Sequence, residues 1–382
     1  MANPKPKDFQ HVKNYPGTTG NDLDILLHQF AKIQNINSLI LVVLLFLLSF
    51  LVNWGDIPNT LILLGFYLFD WLLLGLLPKA GLSYGPPKPP LVILAIARSL
   101  FGLIPVPYNW VAQMVGTMLV IYGFWIEPHF IRFSYQRLVS HKIKNSKAIR
   151  ILHLADLHIE RITQREKQLT HMVSQLKPDL ILFSGDILNL SYLKDELAWK
   201  AAREIIQQWK APYGVYLVTG SPAVDLAENF PALIDGLPVT WLNDELKTIQ
   251  IDQSRINIIG LTCTHKPFED APRLKNILPS QNGDFSILLH HSPDLAPEAA
   301  LHPIDLHLAG HTHGGQVRLP LYGAIVTGSL YGKMLESGRY QLSNLTLYVS
   351  RGIGLEGAGA PRVRFLCPPE ITLWELSGED TK

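Results

Sequence analysis

The chain has 382 residues, room for about two domains, and its formal net charge of +1 comes with only 17% charged residues. That balance excludes a broad basic surface, so nucleic acid is not expected as a binding partner. Two cysteines without CxxC spacing exclude a disulfide framework and a zinc knuckle, and they fit a reducing compartment.

Hydrophobic residues make up 47% of the chain, and the excess lies before residue 130. Residues 1–35 form a polar leading segment with Lys5, Lys7, Lys13 and Lys32. The run INSLILVVLLFLLSFLVNW at 36–54 is uncharged and long enough to cross a hydrocarbon core. The run at 58–77 carries only Asp70, a shorter one at 91–104 carries Arg98, and that at 109–126 is uncharged again. Asp70 and Arg98 fall near the middle of consecutive antiparallel spans and are expected to pair. Trp54, Tyr108, Trp110 and Trp125 stand near the ends, as interfacial aromatics do. Lys79 and Lys88 lie between the second and third runs. Arg132, Arg137, Lys142, Lys144, Lys147 and Arg150 follow the fourth. The two remaining connections carry no Lys or Arg. The positive-inside rule then predicts an integral, multi-pass anchor of about four transmembrane helices over 36–127, with both chain ends in the cytoplasm. Residues 128–147 read as a basic juxtamembrane linker, 148–376 as a second domain and 377–382 as a tail.

From Arg150 the pattern turns to α/β alternation. IRILHLADLH, DLILFSGD and GVYLVTG read as strands. Between them lie a segment with Leu169, Met172, Val173 and Leu176 at helical spacing and the amphipathic DELAWKAAREIIQQWK. INIIGL, FSILLHH and DLHLAGHTH are further short strands. LTLYVS and ITLWEL, in the Gly-rich last part, read as antiparallel strands completing a second sheet.

The ends of these strands display metal-ligand residue types. Asp156 and His158 are two apart, and in extended chain i and i+2 point the same way, so both can reach one ion. Asp186 follows a buried strand through Gly185, with Asn189 just after it, and His291 ends FSILLHH. His311 and His313 repeat the i, i+2 spacing in GHTHGGQ. Imidazole and carboxylate ligands without thiolate suit divalent Mn, Fe or Zn.

DLH at 156–158, GDILN at 185–189, HHSPD at 290–294 and GHTHGGQ at 310–316 resemble the signature of the calcineurin-like metallophosphoesterases. YVSRGIG at 348–354 and CPPEITL at 367–373 are similar to the membrane-attached branch of that superfamily. The resemblance implies an α/β fold in which the transmembrane helices precede a four-layer α/β/β/α sandwich over 148–376, with a dinuclear metal site between the sheets. It implies one ion on Asp156, His158, Asp186 and His313. A second would share Asp186 and take His291 and His311. Asp186 and His311 are the expected catalytic centre. Arg351 in SRG is a candidate phosphate contact, or else a surface arginine beside a glycine turn.

One motif departs from the pattern. Where the family carries Asn-His-Asp or Asn-His-Glu, this chain reads GSPAVD at 220–225. Pro222 can neither donate a proton nor bind a metal, and Ser221 is at best a weak neutral ligand. SPAVD has the makings of a helix start, with Ser221 as cap and Pro222 at the first position. The turn either cradles phosphate on free backbone amides or only begins a helix. Ser221 and Asn189 thus remain candidate second-site or phosphate contacts, and His265 is the nearest alternative source of a proton.

The expected function is a membrane-anchored hydrolase that cleaves a phosphodiester or pyrophosphate bond with a metal-activated water. A lipid-linked substrate would explain why the domain is held at the bilayer. The competing expectation is a catalytically impaired metal- or phosphate-binding membrane module.

Overall fold

A computed structural model describes residues 4–280 and 283–378. Residues 379–382 of the expected tail lie outside the described residues.

Asn21 caps α1 (Asp22–Ala31) by accepting the Asp24 N–H. After a short 3₁₀ turn, Asn37 caps α2 (Ser38–Val52). Asp56 caps α3 (Ile57–Leu76), where Pro58 occupies the first turn as a residue without an N–H can. α4 (Lys88–Gly102) and α5 (Tyr108–Ile121) complete a four-helix cluster around Leu45, Leu63, Tyr67, Leu91 and Val120. Inside it, Arg98 reaches Asp70 through two bonds of 2.5 and 2.7 Å and also donates to the Gln113 carbonyl at 2.8 Å. The expected pairing is there, and the carbonyl helps satisfy the buried guanidinium.

Among the described residues two helices are long and apolar enough to cross a membrane, Ile57–Leu76 and α5 with its irregular continuation, Tyr108–His129, or three spans if the bent pair that follows counts as one. Asp22–Asn35 and Ser38–Val52 meet at 105°, and α4 has 15 residues, about 22 Å at 1.5 Å each.

The rest of the chain builds two six-stranded sheets. Its strands are β1 (Arg132–Val139), β2 (Ile149–Leu154), β3 (Leu180–Phe183), β4 (Val215–Leu217), β5 (Thr240–Trp241), β6 (Glu245–Ile251), β7 (Ser254–Gly260), β8 (Phe285–Leu289), β9 (Leu306–Ala309), a small hairpin of β10 (Arg318–Leu319) and β11 (Gly323–Ala324), then β12 (Gly338–Leu342), β13 (Leu345–Val349) and β14 (Glu370–Ser377). The first sheet runs β1-β14-β2-β3-β4-β5 and the second β12-β13-β9-β8-β7-β6. Ile151, Leu182 and Val218 of the first meet Ile258, Ile287 and Leu308 of the second in a shared core. α6 (Gln164–Leu176), α7 (Glu196–Ile206) and α8 (Phe230–Ile234) cover the outer face of the first sheet. α9 (Pro267–Asn276) and α10 (Ala296–Ala299) pack on the second. Both faces of each sheet's central strands are therefore buried, which is why β3, β8 and β9 read as short apolar runs, while the edge strands β1, β6 and β12 stay partly exposed.

Two expectations change. The stretch expected to be a basic linker carries β1, paired in parallel with β14 from Arg132↔Glu370 to Val139↔Ser377. ITLWEL lies within β14, which returns to the first sheet antiparallel to β2 instead of completing the second, whereas LTLYV does join the second sheet, antiparallel to β12 and parallel to β9. Neither segment's alternation encodes which neighbour it meets. The leading segment packs on this domain: Phe9 and Tyr15 are buried against Leu261, Tyr331 and their neighbours in the layer outside the second sheet.

Candidate metal centre

β2, β3 and β4 run parallel in one sheet, β7, β8 and β9 in the other, and each strand's C-terminal end leads into the site. Carboxyl ends of parallel strands are where an open α/β sheet holds its ligands. Here they converge on three groups of side chains, each with its potential ligand atoms within 4.8 Å of one another. These are Asp156, His158 and His313; Asp156, Asp186 and His291; and His265, His291 and His311. All six residues expected as ligands are brought together.

The local backbone is bent to do this. Asp156, His158, Asp186, His265, His311 and His313 all adopt positive φ, between 43° and 72°. Non-glycine residues rarely do so, and each such position costs on the order of 1–3 kcal/mol that the surrounding fold must supply. The glycines beside them admit close approach. A Cβ on Gly220 would lie 2.1 Å from Asp186 Oδ1, and one on Gly352 would lie 2.6 Å from the Asp156 Cβ. That packing accounts for the glycine of SRGIG.

Hydrogen bonds set the imidazole tautomers. His291 Nδ1 donates to the Ser184 carbonyl at 2.8 Å, leaving Nε2 3.3 Å from Asp186 Oδ2. His311 Nε2 donates to the Gly328 carbonyl at 2.9 Å, which frees Nδ1. His158 Nε2 and His313 Nε2 face each other at 3.0 Å, with Asp186 Oδ2 3.6 Å from the former. Asp156 Oδ2 is buried without a hydrogen-bond partner. Facing imidazole nitrogens with Asp156 Oδ1 3.9 Å from His313 Nε2 and 4.0 Å from His291 Nε2 are a donor set that a divalent cation fits.

The carboxylates and imidazoles act on one another's charge at close range. Burial opposes a charge on His291, yet Asp186 and Asp156 beside it push its pKa up to about 9. Burial likewise opposes the Asp186 carboxylate, but His291 and His158 hold it well below the usual range. Burial pushes His265 and His313 well below the ordinary value, helped by neighbouring His311 and His158 respectively, so both rings are neutral.

Ser221 is inside this cluster. Its N–H donates to Asp186 Oδ1 at 2.6 Å, and its Oγ lies 3.2 Å from Asp186 Oδ2, 3.2 Å from His291 Nε2 and 3.0 Å from His265 Nε2. The expected helix start is corrected. Residues 222–225 form a turn, α8 begins only at Phe230, and the Ser221 hydroxyl serves the site instead of capping. The reason is Asp225, whose carboxylate folds back to accept the N–H groups of Gly220, Asp186 and Ile187.

Two candidates are turned elsewhere. Arg351 Nε donates to Glu370 at 2.9 Å, and Asn189 donates to the Leu355 carbonyl while accepting the Ser191 N–H. Neither lines the adjoining cavity of about 340 Å³. Glu356, absent from the sequence-based candidates, does line it and lies 3.9 Å from His313. Nothing in its spacing marks it, because it comes from a loop. The cavity's floor includes Asp186, Ser221, His311 and His313. Its walls are Val317, Val326 and Val363 together with Pro16, Gly17, Leu23 and Leu27 of the leading segment. That segment is tied down by the Ala223 N–H to the Gly17 carbonyl and the Gly359 N–H to the Leu27 carbonyl.

The model of the calcineurin-like phosphoesterase family matches residues 149–315. YkuE, an uncharacterized metallophosphoesterase of Bacillus subtilis (strain 168), is 31% identical over 270 residues, 67% of this chain and 88% of that protein. The phosphodiesterase YaeI of Escherichia coli (strain K12) is 28% identical, covering 67% of this chain and 92% of that protein. The UDP-2,3-diacylglucosamine pyrophosphatase LpxG of Chlamydia muridarum (strain MoPn / Nigg) is 24% identical, covering 65% of this chain and 90% of that protein. With these relatives and this set of buried carboxylates and imidazoles, the chain belongs to the calcineurin-like metallophosphoesterases and is a phosphoester hydrolase.

Proposed function

We propose that the chain is a multi-pass membrane enzyme that hydrolyses a phosphodiester or pyrophosphate bond of a lipid-linked substrate, using a dinuclear metal centre on the cytoplasmic face. The observation that carries this reading is the cavity, polar at its metal-ligand floor and apolar along the wall made by Leu23, Leu27, Val326 and Val363. A phosphate group suits the floor and an acyl chain suits the wall. α1, which supplies part of that wall, leads directly into α2 of the apolar cluster and exposes Ile25 and Leu26. LpxG, a relative whose named substrate is diacylated, supports the same substrate class.

Divalent ions, when bound, lower the pKa of a water and neutralise phosphoryl oxygens. The chain's part is to orient them and to exclude bulk water. Asp156, His158, Asp186 and His313 would hold one ion, with Asp186, His291 and His311 at the other. The carbonyls of Ser184 and Gly328 keep the His291 and His311 rings in the tautomer that offers a lone pair. The leading segment closes one side against solvent.

The test is metal content together with turnover of a panel of phosphodiesters and pyrophosphates, with and without acyl chains, by the detergent-solubilised full chain. Two ions per chain are expected, with acylated pyrophosphates preferred. Asp186→Ala, which removes the shared carboxylate, should lose both ions. Equal turnover of acylated and soluble substrates would rule out the lipid assignment.

A further inference from the structure

The second ion is short of a ligand in the reading above. The family's asparagine is Ser221 here, and a neutral hydroxyl replaces an amide oxygen. We propose that His265 completes this site, supplying a third imidazole beside His291 and His311.

The topology brings it there. β7, β8 and β9 are adjacent parallel strands, with Gly260↔Leu289 and Leu289↔Leu308 in register. Each is followed by one histidine of the cluster: His265 after β7, His291 after β8 and His311 after β9. The ligand atoms of the three lie within 4.8 Å of one another, and the His265 and His311 ring centroids are 4.2 Å apart. His265 is 2% exposed, and its Nδ1 has no hydrogen-bond partner. Its Nε2 meets only the Ser221 hydroxyl, at 3.0 Å, so the ring stands where the missing amide would be compensated. A buried imidazole with an unused nitrogen is costly unless something takes its lone pair.

The turn carrying His265 is built rather than loose. Asp270 on α9 accepts the Thr264 hydroxyl at 2.6 Å and the Thr264 N–H at 3.3 Å, which holds the residue before it. His265 itself sits at φ 60°, the left-handed conformation it shares with five expected ligands. Gly17 of the leading segment closes over the ring, where a Cβ would come within 2.3 Å of Nε2. Imidazole is a stronger ligand than a serine hydroxyl for Mn, Fe or Zn, so the exchange of asparagine for serine need not cost the ion.

This inference rests on the dinuclear reading, and the experiment separates the two. Full-length protein in detergent is stripped with chelator and titrated with Mn²⁺, free ion being read by electron paramagnetic resonance. Wild type should bind two ions. His265→Ala should keep the first and weaken the second by more than about tenfold. Adding Ser221→Asn to His265→Ala should recover the second ion by restoring the amide ligand. Two ions with unchanged affinity in His265→Ala would overturn the assignment of His265 and leave the dinuclear enzyme standing. Loss of both ions in His265→Ala and His265→Asn, with no recovery by Ser221→Asn, would also overturn it, since that marks a purely structural role. Fewer than two ions in wild type with Mn²⁺, Zn²⁺ and Fe²⁺ alike would overturn both readings.

Discussion

The Asp225 carboxylate accepts the N–H groups of Gly220 and Asp186 at 2.8 Å and of Ile187 at 3.1 Å. It touches no substrate, yet it fixes the strand ends that carry Asp186 and Ser221. Burial, with Asp186 nearby, pushes its pKa up to about 6, so its charge is held against a cost that the three donors offset. Glu298 on α10 lacks such donors: its Oε2 is buried with no partner. Burial, and then Asp294, pushes its pKa up to about 7 from an ordinary 4.5. A folded pKa above the unfolded one means the native state favours the protonated acid. That contribution is whole below about pH 4.5 and is lost as pH rises to 7. Glu298→Gln removes the ionisation, so it should melt higher than wild type at pH 8, with the difference closing toward pH 5. Thermal unfolding at the two pH values checks this, and an equal difference at both would contradict the burial argument.

The turn from Gly220 to Asp225 decides the chemistry at the scale of an element. Pro222 stands where the family carries a proton-donating histidine, and the site places the His265 ring on Ser221 rather than beyond it. With no donor at position 222, a poor leaving group departs unassisted, and general acid help is worth roughly 10²–10⁴ in rate. Activated esters and pyrophosphates should therefore be cleaved far better than simple alkyl phosphoesters. Ser221→Asn with Pro222→His should raise turnover of alkyl esters more than that of nitrophenyl esters. The measurement is the ratio of double mutant to wild type across a leaving-group series. A ratio that does not vary would mean the proton comes from another residue.

Across the whole molecule, the helix cluster and the sheets are locked together. Glu127, at the end of the second long apolar helix, accepts the N–H groups of Leu366 and Cys367, and the Arg364 N–H donates to the Gly123 carbonyl at 3.0 Å. On the other side of the cluster, Tyr84 donates its N–H to Glu160 at 3.0 Å, and Glu160 in turn pairs with Arg362 at 2.7 Å. The leading segment packs on the same domain through Phe9 and Tyr15. Where the apolar helices between the leading segment and the sheets span a bilayer, an even number of crossings is expected, since both flanking parts pack on one body. With the Lys and Arg of residues 128–150 on that side, the expected face is cytoplasmic. A reporter fused after Lys382 should be active inside the cytoplasm. Activity only outside would reverse the orientation and remove the argument for a cytoplasmic lipid substrate.

By itself the sequence marked six candidate ligands and the apolar third, because both are local. Asp156 with His158 and His311 with His313 announce themselves by residue type just after apolar strands, although their backbone is left-handed there and not extended as i, i+2 spacing assumes, and Asp186 by the glycine before it. The apolar runs announce themselves by length. Residues joined only by folding could not be read in this way. His265 lies 26 positions from His291, counting between those residue numbers, and becomes its neighbour because β7 and β8 are adjacent and parallel. Gly17 meets His265 only because the leading segment docks outside the second sheet. Arg351 had the right motif around it, but Glu370 on β14 claims its guanidinium, and β14 reached that place by crossing back to the first sheet. Residue types that follow an apolar strand are written in the chain, whereas proximity between strands depends on sheet order, which the tertiary core selects.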